Sequence, residues 1–409
     1  MGVAGATGAF VAGARDLPTA NKRGALLHSL KPYAIAIAIY LVSRLVVVSA
    51  IFVAMNVVPL WKEDLWQSGP HWYDHLLRWD SEWYADIAAN GYQFDGIGGR
   101  PNDLPSVVFF PLFPLLARLL AQASGISVAH ALLALANVAA VLAMLLLYRV
   151  ARRECGERAA VVSVAFMSFF PGSLFLSAGY SEPLALLFML SAFAFMQRAH
   201  YLPASVSAGL ASATRSAGIV LAPVLIFELW RQHRYNFRRF VAHALACLVL
   251  ATSGVWLYMV YLGLAFGHPL AFAEAQSAWH GATSAHERLD AALTLQPFMH
   301  LRLNDYSPAG LDQWIFVVLL AASVLAWIRL SASFGLFSLS VLMLPYLTLS
   351  GGPQGLTSMT RYGLLAFPAF IALGDICQSR LWVCVVVAVV FAGMLGYYAA
   401  LFGQWYWAG

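Results

Sequence analysis

The sequence predicts an all-α membrane protein with many spanning helices, and three observations support this fold class. Hydrophobic residues make up 61% of the 409-residue chain and charged residues 11%, whereas soluble domains carry about 25% charged residues. Many apolar runs approach the length of about 20 residues that a spanning helix needs. The few charges are unevenly distributed along the chain, as in proteins with a fixed membrane topology. This composition excludes ordinary soluble enzymes, disordered chains and disulfide-rich scaffolds.

The spanning helices are predicted from apolar runs in chain order. Residues 203–230 are also apolar, but the polar segment Thr214–Gly218 interrupts them and predicts two short helices that meet at an elbow. With that pair, the chain is expected to cross the membrane about 11 times. The single runs lie near residues 33–57, 129–149, 158–177, 183–199, 240–263, 314–329, 332–349, 361–376 and 381–402.

Residues 107–122 are apolar but are not expected to cross the membrane. The segment has only about 16 residues, and Pro111 and Pro114 lie near its start. A crossing here would also invert the topology of everything that follows. We therefore expect a half-inserted or juxtamembrane helix on the outer side. The N-terminal residues lack an apolar core followed by a cleavage site, and they are not expected to form a signal peptide.

Basic residues predict the orientation, because cytoplasmic loops of membrane proteins are enriched in Lys and Arg. A cytoplasmic N-terminal tail, residues 1–32, places 15 of the 24 basic residues inside. The two large outer loops, residues 58–107 and 264–313, then hold 13 of the 19 acidic residues, so any chemistry is expected to face outward. No basic run is long enough to bind nucleic acid. Without a repeat or a separate soluble domain, residues 1–409 are expected to form one membrane unit.

The first outer loop contains a candidate catalytic carboxylate, Asp80. Helical spacing places Asp80, Trp83 and Tyr84 on one face. Burial beside aromatic rings raises the pKa of a carboxylate, which can then act as a general base, and sugar rings stack on aromatic faces. The alternative is an aromatic belt at the membrane surface, with Asp80 paired with Arg78 or capping a helix. The spacing alone leaves both interpretations open.

Several other residues also have a functional and a structural interpretation. Glu182 precedes Pro183, which opens a helix, so its carboxylate either binds an acceptor hydroxyl or favours the positive helix N-terminus. Arg44 lies midway along the first span and is expected to brace the bundle against an acidic or polar partner. The four cysteines predict neither a disulfide nor a metal site. His71 and His75 have the spacing of a metal pair but lack a third ligand.

Six segments, in order between about residues 79 and 370, resemble the PIG-V type mannosyltransferases. This family includes the enzyme that adds the second mannose of the glycosylphosphatidylinositol anchor, together with many prokaryotic relatives. The short chain and its alanine-rich spans resemble a prokaryotic member. The segments are Trp79–Tyr84 with Ile87, Ala88, Gly91 and Tyr92; Phe109–Leu115; Phe170–Pro171 with Ser177–Leu184; Ala213–Gly218; Gly267–Phe272 with Gln276 and Trp279; and Ser358–Tyr362 with Phe367–Pro368.

The resemblance implies a GT-C fold glycosyltransferase that passes mannose from a polyprenyl monophosphate to a hydroxyl outside the cytoplasm, with inversion of configuration. Matched residue by residue, it implies that Asp80 is the base and that Arg215 and Arg361 are candidates to bind the donor phosphate. Arg215 is costly at membrane depth, and Arg361 has the alternative of snorkelling to the surface. No metal or other cofactor is implied, because the donor lacks a diphosphate. The implied substrate-binding residues are Arg78, Trp79, Trp83, Tyr84, Tyr180, Glu182, His268, Gln276, Trp279 and Tyr362.

The expected partners are a polyprenyl-phosphate sugar donor, a lipid or glycan acceptor and membrane lipids, in the plasma (inner) membrane of a prokaryote. One alternative keeps the chemistry but uses another polyprenyl-linked sugar. A different class is a lipid or glycan transporter or flippase, with the elbow at residues 214–218 as its substrate site. That class predicts paired broken helices within an internal repeat, whereas the sequence shows one break and no repeat. A scaffold without chemistry agrees least with Arg44 and Arg215 in predicted spans.

Overall fold

The computed structural model describes residues 19–61, 69–94, 105–233, 236–281, 283–299, 309–352 and 356–408. Within these ranges every regular element is a helix, so the predicted all-α class is confirmed. The first helices are α1 (Thr19–Val57), α2 (Asp80–Asn90), α3 (Leu112–Ser124), α4 (Val128–Cys155), α5 (Glu157–Phe169), α6 (Glu182–Met196), α7 (Tyr201–Thr214), α8 (Leu221–His233), α9 (Phe237–Ala251) and α10 (Ser253–Phe266). The later helices are α11 (Ala271–Glu274), α12 (Gln276–His280), α13 (Ala285–Leu293), α14 (Gln296–Met299), α15 (Ala309–Arg329), α16 (Ala332–Leu349), α17 (Met359–Gly363), α18 (Phe367–Cys377) and α19 (Leu381–Gly403).

Five of the described helices are long and apolar enough to cross a membrane, which makes the chain an integral membrane protein. The predicted span at 240–263 is not one straight helix, because α9 and α10 meet at a bend of 53°. Thr252 lies at this bend, and its hydroxyl donates to the carbonyl of Leu248 at 2.8 Å, a contact that often bends helices. The five long helices cover Lys31–Val57, Val128–Cys155, Leu311–Arg329, Ala332–Leu349 and Leu381–Gly403.

Other predicted spans contain shorter helices. The run 158–177 is divided because α5 ends at Phe169. The next residue, Phe170, precedes Pro171 and is therefore disfavoured in helical backbone, and a 3-10 helix, Pro171–Leu176, follows. Helices α6, α7, α8 and α18 have between 11 and 15 residues. The number of about 11 crossings stays a prediction.

The predicted elbow at Thr214–Gly218 separates two helices, and the apolar segment near residues 107–122 contains helix α3. Helix α7 ends at Thr214, Arg215 has extended backbone, and a 3-10 helix at Ser216–Val220 leads into α8, so the predicted elbow is confirmed. Helix α3 begins directly after Pro111 and has 13 residues. Its half-inserted position stays a prediction. Residues 1–18 of the predicted tail and parts of both predicted outer loops lie outside the described residues.

In the packing of the helices, α6 contacts both α4 and α7, α5 contacts α18, and α1 contacts α19.

Arg44 ties the first span to the irregular backbone at 168–177. The Arg44 guanidinium donates to the carbonyls of Ser173 (2.6 Å) and Ser168 (2.9 Å) and to the hydroxyl of Ser177 (2.8 Å). Carbonyls released at a helix break need partners inside a membrane. The predicted bracing by Arg44 is therefore confirmed, and its partners are neutral oxygens.

Gly172 brings this 3-10 helix into close contact with α17. A methyl group on Gly172 would overlap the backbone carbonyl oxygen of Thr360, which cannot move as a flexible side chain does. We expect Gly172→Ala to lower the free energy of unfolding by about 1–3 kcal/mol, as overpacking of a dense interior does. Thermal unfolding in detergent measures the effect. The control is Gly393→Ala in α19, where the added methyl group meets nothing within 4 Å, and an equal loss in both variants would contradict the contact.

Candidate active site

Four charged residues that are far apart in the sequence form one ionic cluster: Asp80, Glu182, Arg215 and Arg361. The Arg361 Nη2 atom lies 2.6 Å from Asp80 Oδ2, and its Nε atom donates to Glu182 Oε1. The same Glu182 oxygen accepts from Arg215 Nη1 at 2.6 Å. Negative and positive side chains therefore alternate along these contacts, in the order Asp80, Arg361, Glu182 and Arg215. Two acids and two arginines give a cluster without net charge.

The ionic cluster is almost completely buried. The side chain of Glu182 is 0% exposed and that of Arg361 is 5% exposed, while Arg215 is the more accessible arginine at 13%. Burial of Arg361 excludes the alternative in which it snorkels to the membrane surface. Charges removed from water are stable only with good partners, and removal of one partner strands the other. Glu182 Oε2 is also buried, and it makes no hydrogen bond to the described residues.

Helix ends place the four charges. Asp80 and Glu182 are the first residues of α2 and α6, where the helix dipole favours a carboxylate. Arg215 follows the end of α7 at the elbow, and Arg361 lies in the short helix α17. The predicted helix after Asp80 is confirmed. Both interpretations of Glu182 are compatible with its position, since it starts α6 and also contacts both arginines.

Tyrosine rings surround the cluster. The Tyr180 hydroxyl accepts from the backbone N–H of Asp80 and donates to the carbonyl of Arg78, both at 3.3 Å. The Arg361 guanidinium lies over the Tyr180 ring, 4.7 Å from its centroid. Arg215 lies 5.8 Å from the ring centroid of Tyr362. These cation–π contacts stabilise the buried arginines.

Tyr84 connects the cluster to the aromatic residues packed beside α2, such as Phe109. Its hydroxyl is 2.7 Å from the hydroxyl of Ser181, which also accepts from Arg215 Nη1 at 3.2 Å. The Tyr84 ring packs edge to face on Phe109, with centroids 5.1 Å apart. Ser181 therefore links Arg215 of the cluster to Tyr84, which lies on the predicted face of α2 that also carries Asp80. Ser181 lies inside a motif that carries the family resemblance, but no role was predicted for it from sequence.

Among the described residues Asp80 pairs with Arg361 and not with Arg78, so the predicted pairing with Arg78 is wrong. Its guanidinium lies over the ring of Trp405, 4.6 Å from the centroid. Burial lowers the pKa of Arg78 to about 10. The physical reason for the different pairing is the position of Asp80, which points its carboxylate to Arg361. Arg78 instead packs against Trp405, which lies in the group of tryptophan rings around Trp79.

Residues near the end of the described chain support the backbone next to Asp80. Trp79 has a positive φ of 54°, which is uncommon for a large side chain. Its ring packs on those of Trp61, Trp405 and Trp407, with centroids 5.1 to 5.8 Å apart. A strained backbone persists only where neighbours fix it. Trp405 and Trp407 were not predicted from sequence, although their position directly after the last span is a visible signal.

Of the three site residues predicted in the second outer loop, one, Trp279, contacts the aromatic residues beside α2. Trp279 packs on Trp83 (5.3 Å) and Phe109 (5.5 Å), and its Nε1 donates to the carbonyl of Pro105 at 3.2 Å. His268 is exposed, 6.0 Å from the ring centroid of Phe94. Gln276 is half-buried. Within the described residues, neither His268 nor Gln276 contacts the ionic cluster.

The described residues contain no group of three or more His, Cys, Asp or Glu side chains placed to hold a metal ion. All four cysteines are free thiols. His75, one of the two histidines with metal-pair spacing, has its Nδ1 atom 2.7 Å from the carbonyl oxygen of Gly403. This contact joins the first predicted outer loop to the end of α19.

Removal of the Glu182 charge tests the cohesion of the cluster. Glu182→Gln leaves two arginines with one carboxylate, and we expect the free energy of unfolding to fall by about 3–5 kcal/mol, as for other broken buried pairs. Chemical unfolding in detergent measures the change. The control is Asp375→Asn, whose partner Arg329 is 53% exposed and whose loss should cost at most about 1 kcal/mol. Similar losses in both variants would contradict a buried, interdependent cluster.

The match to a known family covers the first five of the six segments that carry the resemblance, but not the sixth, which contains Arg361. Residues 48–279 match the family described as Mannosyltransferase (PIG-V). The GPI alpha-1,6-mannosyltransferase 2 of Rattus norvegicus is 29% identical over 247 residues, which cover 57% of this chain and 47% of that protein. The protein of the same name from Mus musculus is 32% identical over 169 residues, 38% of this chain and 32% of that protein. The chain thus spans about half or less of the length of these relatives.

Solved structures are also similar. ArnT from Cupriavidus metallidurans, bound to undecaprenyl phosphate, has a TM-score of 0.49 and 16% identity, covering 89% of this chain and 76% of that one. The oligosaccharyltransferase of Archaeoglobus fulgidus has a TM-score of 0.45 and 14% identity, covering 91% and 56%. The family match includes Asp80, Glu182 and Arg215 and extends over more than half of the chain. The chain belongs to the mannosyltransferase (PIG-V) family.

Proposed function

We propose that the chain is a membrane mannosyltransferase that takes mannose from a polyprenyl-phosphate donor. It transfers the sugar, with inversion, to a hydroxyl of a lipid or glycan acceptor. Family membership supports the reaction class. The observation that carries the proposal is the buried ionic cluster, in which a carboxylate and two arginines meet. An inverting transfer from a phosphate needs this combination of a base and a cation.

In the proposed reaction, Asp80 is the base. The acceptor oxygen attacks C1 of mannose and forms the new C–O bond, while the bond from C1 to the phosphate oxygen breaks. The hydroxyl proton moves to the Asp80 carboxylate, and the phosphate leaves with the bonding electrons. Arginine stabilises that developing negative charge. The polyprenyl phosphate formed carries a monophosphate only, so the reaction as proposed requires no metal ion or other cofactor.

The two arginines differ in what they offer a phosphate. Arg215 uses a single nitrogen, Nη1, for Glu182 and Ser181, and it is the more exposed of the two. Arg361 already contacts Asp80 and Glu182 with separate nitrogens. We therefore assign Arg215 as the first ligand of the donor phosphate. A phosphate that next approaches Arg361 competes with Asp80 for the guanidinium, so donor binding frees Asp80 to accept a proton.

The proposed location is the plasma membrane of a prokaryote, with a cytoplasmic N-terminus and an outward-facing site. The sorting of basic and acidic residues supports this orientation. Trp83 and Trp279, half-buried beside the face of α2, offer aromatic surface for a sugar. Tyr84, Tyr180 and Tyr362 line the cluster itself.

One observation favours the transporter or flippase class as the second candidate. The structure contains a second broken helix, α9 with α10, and both contact α7, which ends at the elbow. Transporters place substrates at such breaks. The two breaks are consecutive in the chain, however, and do not occupy corresponding positions of two repeats. A protein that moves labelled polyprenyl-phosphate mannose across vesicles without forming a glycosylated product would favour transport.

Asp80→Asn tests the base. Asn has nearly the same shape but cannot accept the hydroxyl proton, so we expect transfer of labelled mannose to fall by about 100-fold or more. The measurement uses purified protein in lipid with polyprenyl-phosphate mannose and a panel of acceptors. The matched control is Asp86→Asn on the same helix, where the carboxylate contacts only Asn90 among the described side chains. Retention of most activity by Asp80→Asn would reject Asp80 as the base.

Arg215→Lys tests the phosphate ligand. Lysine keeps the charge but loses the forked geometry, so the donor kcat/KM should fall by about 10- to 100-fold. The KM for the acceptor should stay within about twofold of that of the wild type, since Arg215 is not assigned to the acceptor. Arg231→Lys, an exposed arginine paired with Glu228, is the control. A change confined to the acceptor KM would contradict the assignment.

A further inference from the structure

Asp312 is a buried acid that pairs with no cation among the described residues. It lies near the start of α15 and is 1% exposed. Its Oδ2 atom accepts the backbone N–H of Ser358 at 3.1 Å, and Oδ1 accepts the backbone N–H of Thr360 at 2.8 Å. Oδ1 also accepts from the hydroxyl of Thr360. Three donors from residues 358–360 therefore converge on one carboxylate.

Helix α17 needs this external support. It has five residues, and helices this short are not stable alone because nucleation is costly. The preceding residue, Ser358, has a positive φ of 69°, in the left-handed region that favours glycine. The first N–H groups of a helix also lack partners within the helix. Asp312 satisfies two backbone N–H groups at this helix start and holds Ser358 in place.

Arg361 directly follows the residue that Asp312 binds most closely. We infer that Asp312 is a positioning residue for Arg361, a role that rests on the proposed function of the ionic cluster. Through Thr360, the carboxylate fixes the turn from which the guanidinium reaches Asp80 and Glu182. The Gly172 contact on the carbonyl of Thr360 restrains the same turn from the other direction.

The carboxylate is required because all of its contacts come from donors. Asp312 accepts with both oxygens, and a carboxylate presents no N–H of its own. Asn would turn its NH₂ group toward the N–H of Ser358 or toward the two donors of Thr360. The NH₂ group would then face another hydrogen-bond donor, which is repulsive, and a buried N–H would lack an acceptor. Asp312→Asn therefore loosens α17 while the size of the side chain stays nearly constant.

Thr360→Val is a milder second variant. Valine has nearly the shape of threonine but lacks the hydroxyl, so it removes one of the three contacts and keeps both backbone contacts. The Thr360 hydroxyl also lies 3.4 Å from that of Tyr398, a separation that is long for an O–H···O bond. Asp375→Asn is the control, because Asp375 lies near the end of α18 and pairs with the half-exposed Arg329.

The experiment combines hydrogen–deuterium exchange with transfer assays on the full chain in detergent or lipid. In Asp312→Asn, exchange should rise in peptides that cover residues 357–362 and stay at the wild-type level in α4 and α6. Transfer with polyprenyl-phosphate mannose should fall by about 10- to 100-fold, the cost of a misplaced site residue. Thr360→Val should fall between that variant and the wild type, and Asp375→Asn should match the wild type.

Wild-type transfer by Asp312→Asn would overturn the inference, and so would lost transfer with unchanged exchange at residues 357–362. Increased exchange throughout the bundle would also overturn it, since that indicates a general structural role. If Asp312→Asn does not fold, the same criteria apply to Thr360→Val with a loss of about three- to tenfold. If the wild-type protein transfers sugar from no donor, the proposed function fails, and local exchange still decides whether Asp312 holds α17.

Discussion

Arg361 and its two carboxylate partners impose the main physical constraint on this protein. A guanidinium this deeply buried needs partners that replace its lost hydration, and for Arg361 these partners are two carboxylates. Asp80 and Glu182 meet that requirement from two different helix N-termini, and Arg215 balances the second acid. Glu182 is 33 residues from Arg215 and 179 residues from Arg361 along the chain, so distant segments must converge on one point. The breaks between helices make that convergence possible.

The irregular backbone lies where the charges are. The 3-10 helix at Pro171–Leu176, the elbow at Arg215 and the short helix α17 each interrupt what would otherwise be a continuous apolar span. Such interruptions leave backbone groups without helical partners, which is costly inside a membrane. Buried polar side chains satisfy them, Arg44 at the 3-10 helix and Asp312 at α17. The scaffold around the site thus depends on a few buried polar residues.

The individual charges of the site are more predictable from sequence than their partners are. Arg215 is identifiable because a charge in an apolar span is costly. Asp80 is identifiable through the resemblance to the PIG-V family, since helical spacing alone leaves its role open. The pairing of Asp80 with Arg361 is not predictable, since no local pattern encodes a contact between distant segments. Helix type follows from composition, but helix length does not. The support of Trp79 by Trp405 likewise follows from tertiary packing, which no local pattern encodes.

The proposed roles of Asp80 and Arg215 are best tested by a structure of the Asp80→Asn variant with polyprenyl-phosphate mannose bound. We expect a phosphate oxygen about 3 Å from the Arg215 guanidinium, within hydrogen-bonding distance. We also expect C1 of mannose to lie between that phosphate and the side chain at position 80. A donor phosphate bound away from the ionic cluster, with C1 remote from the substituted side chain, would rule out both roles.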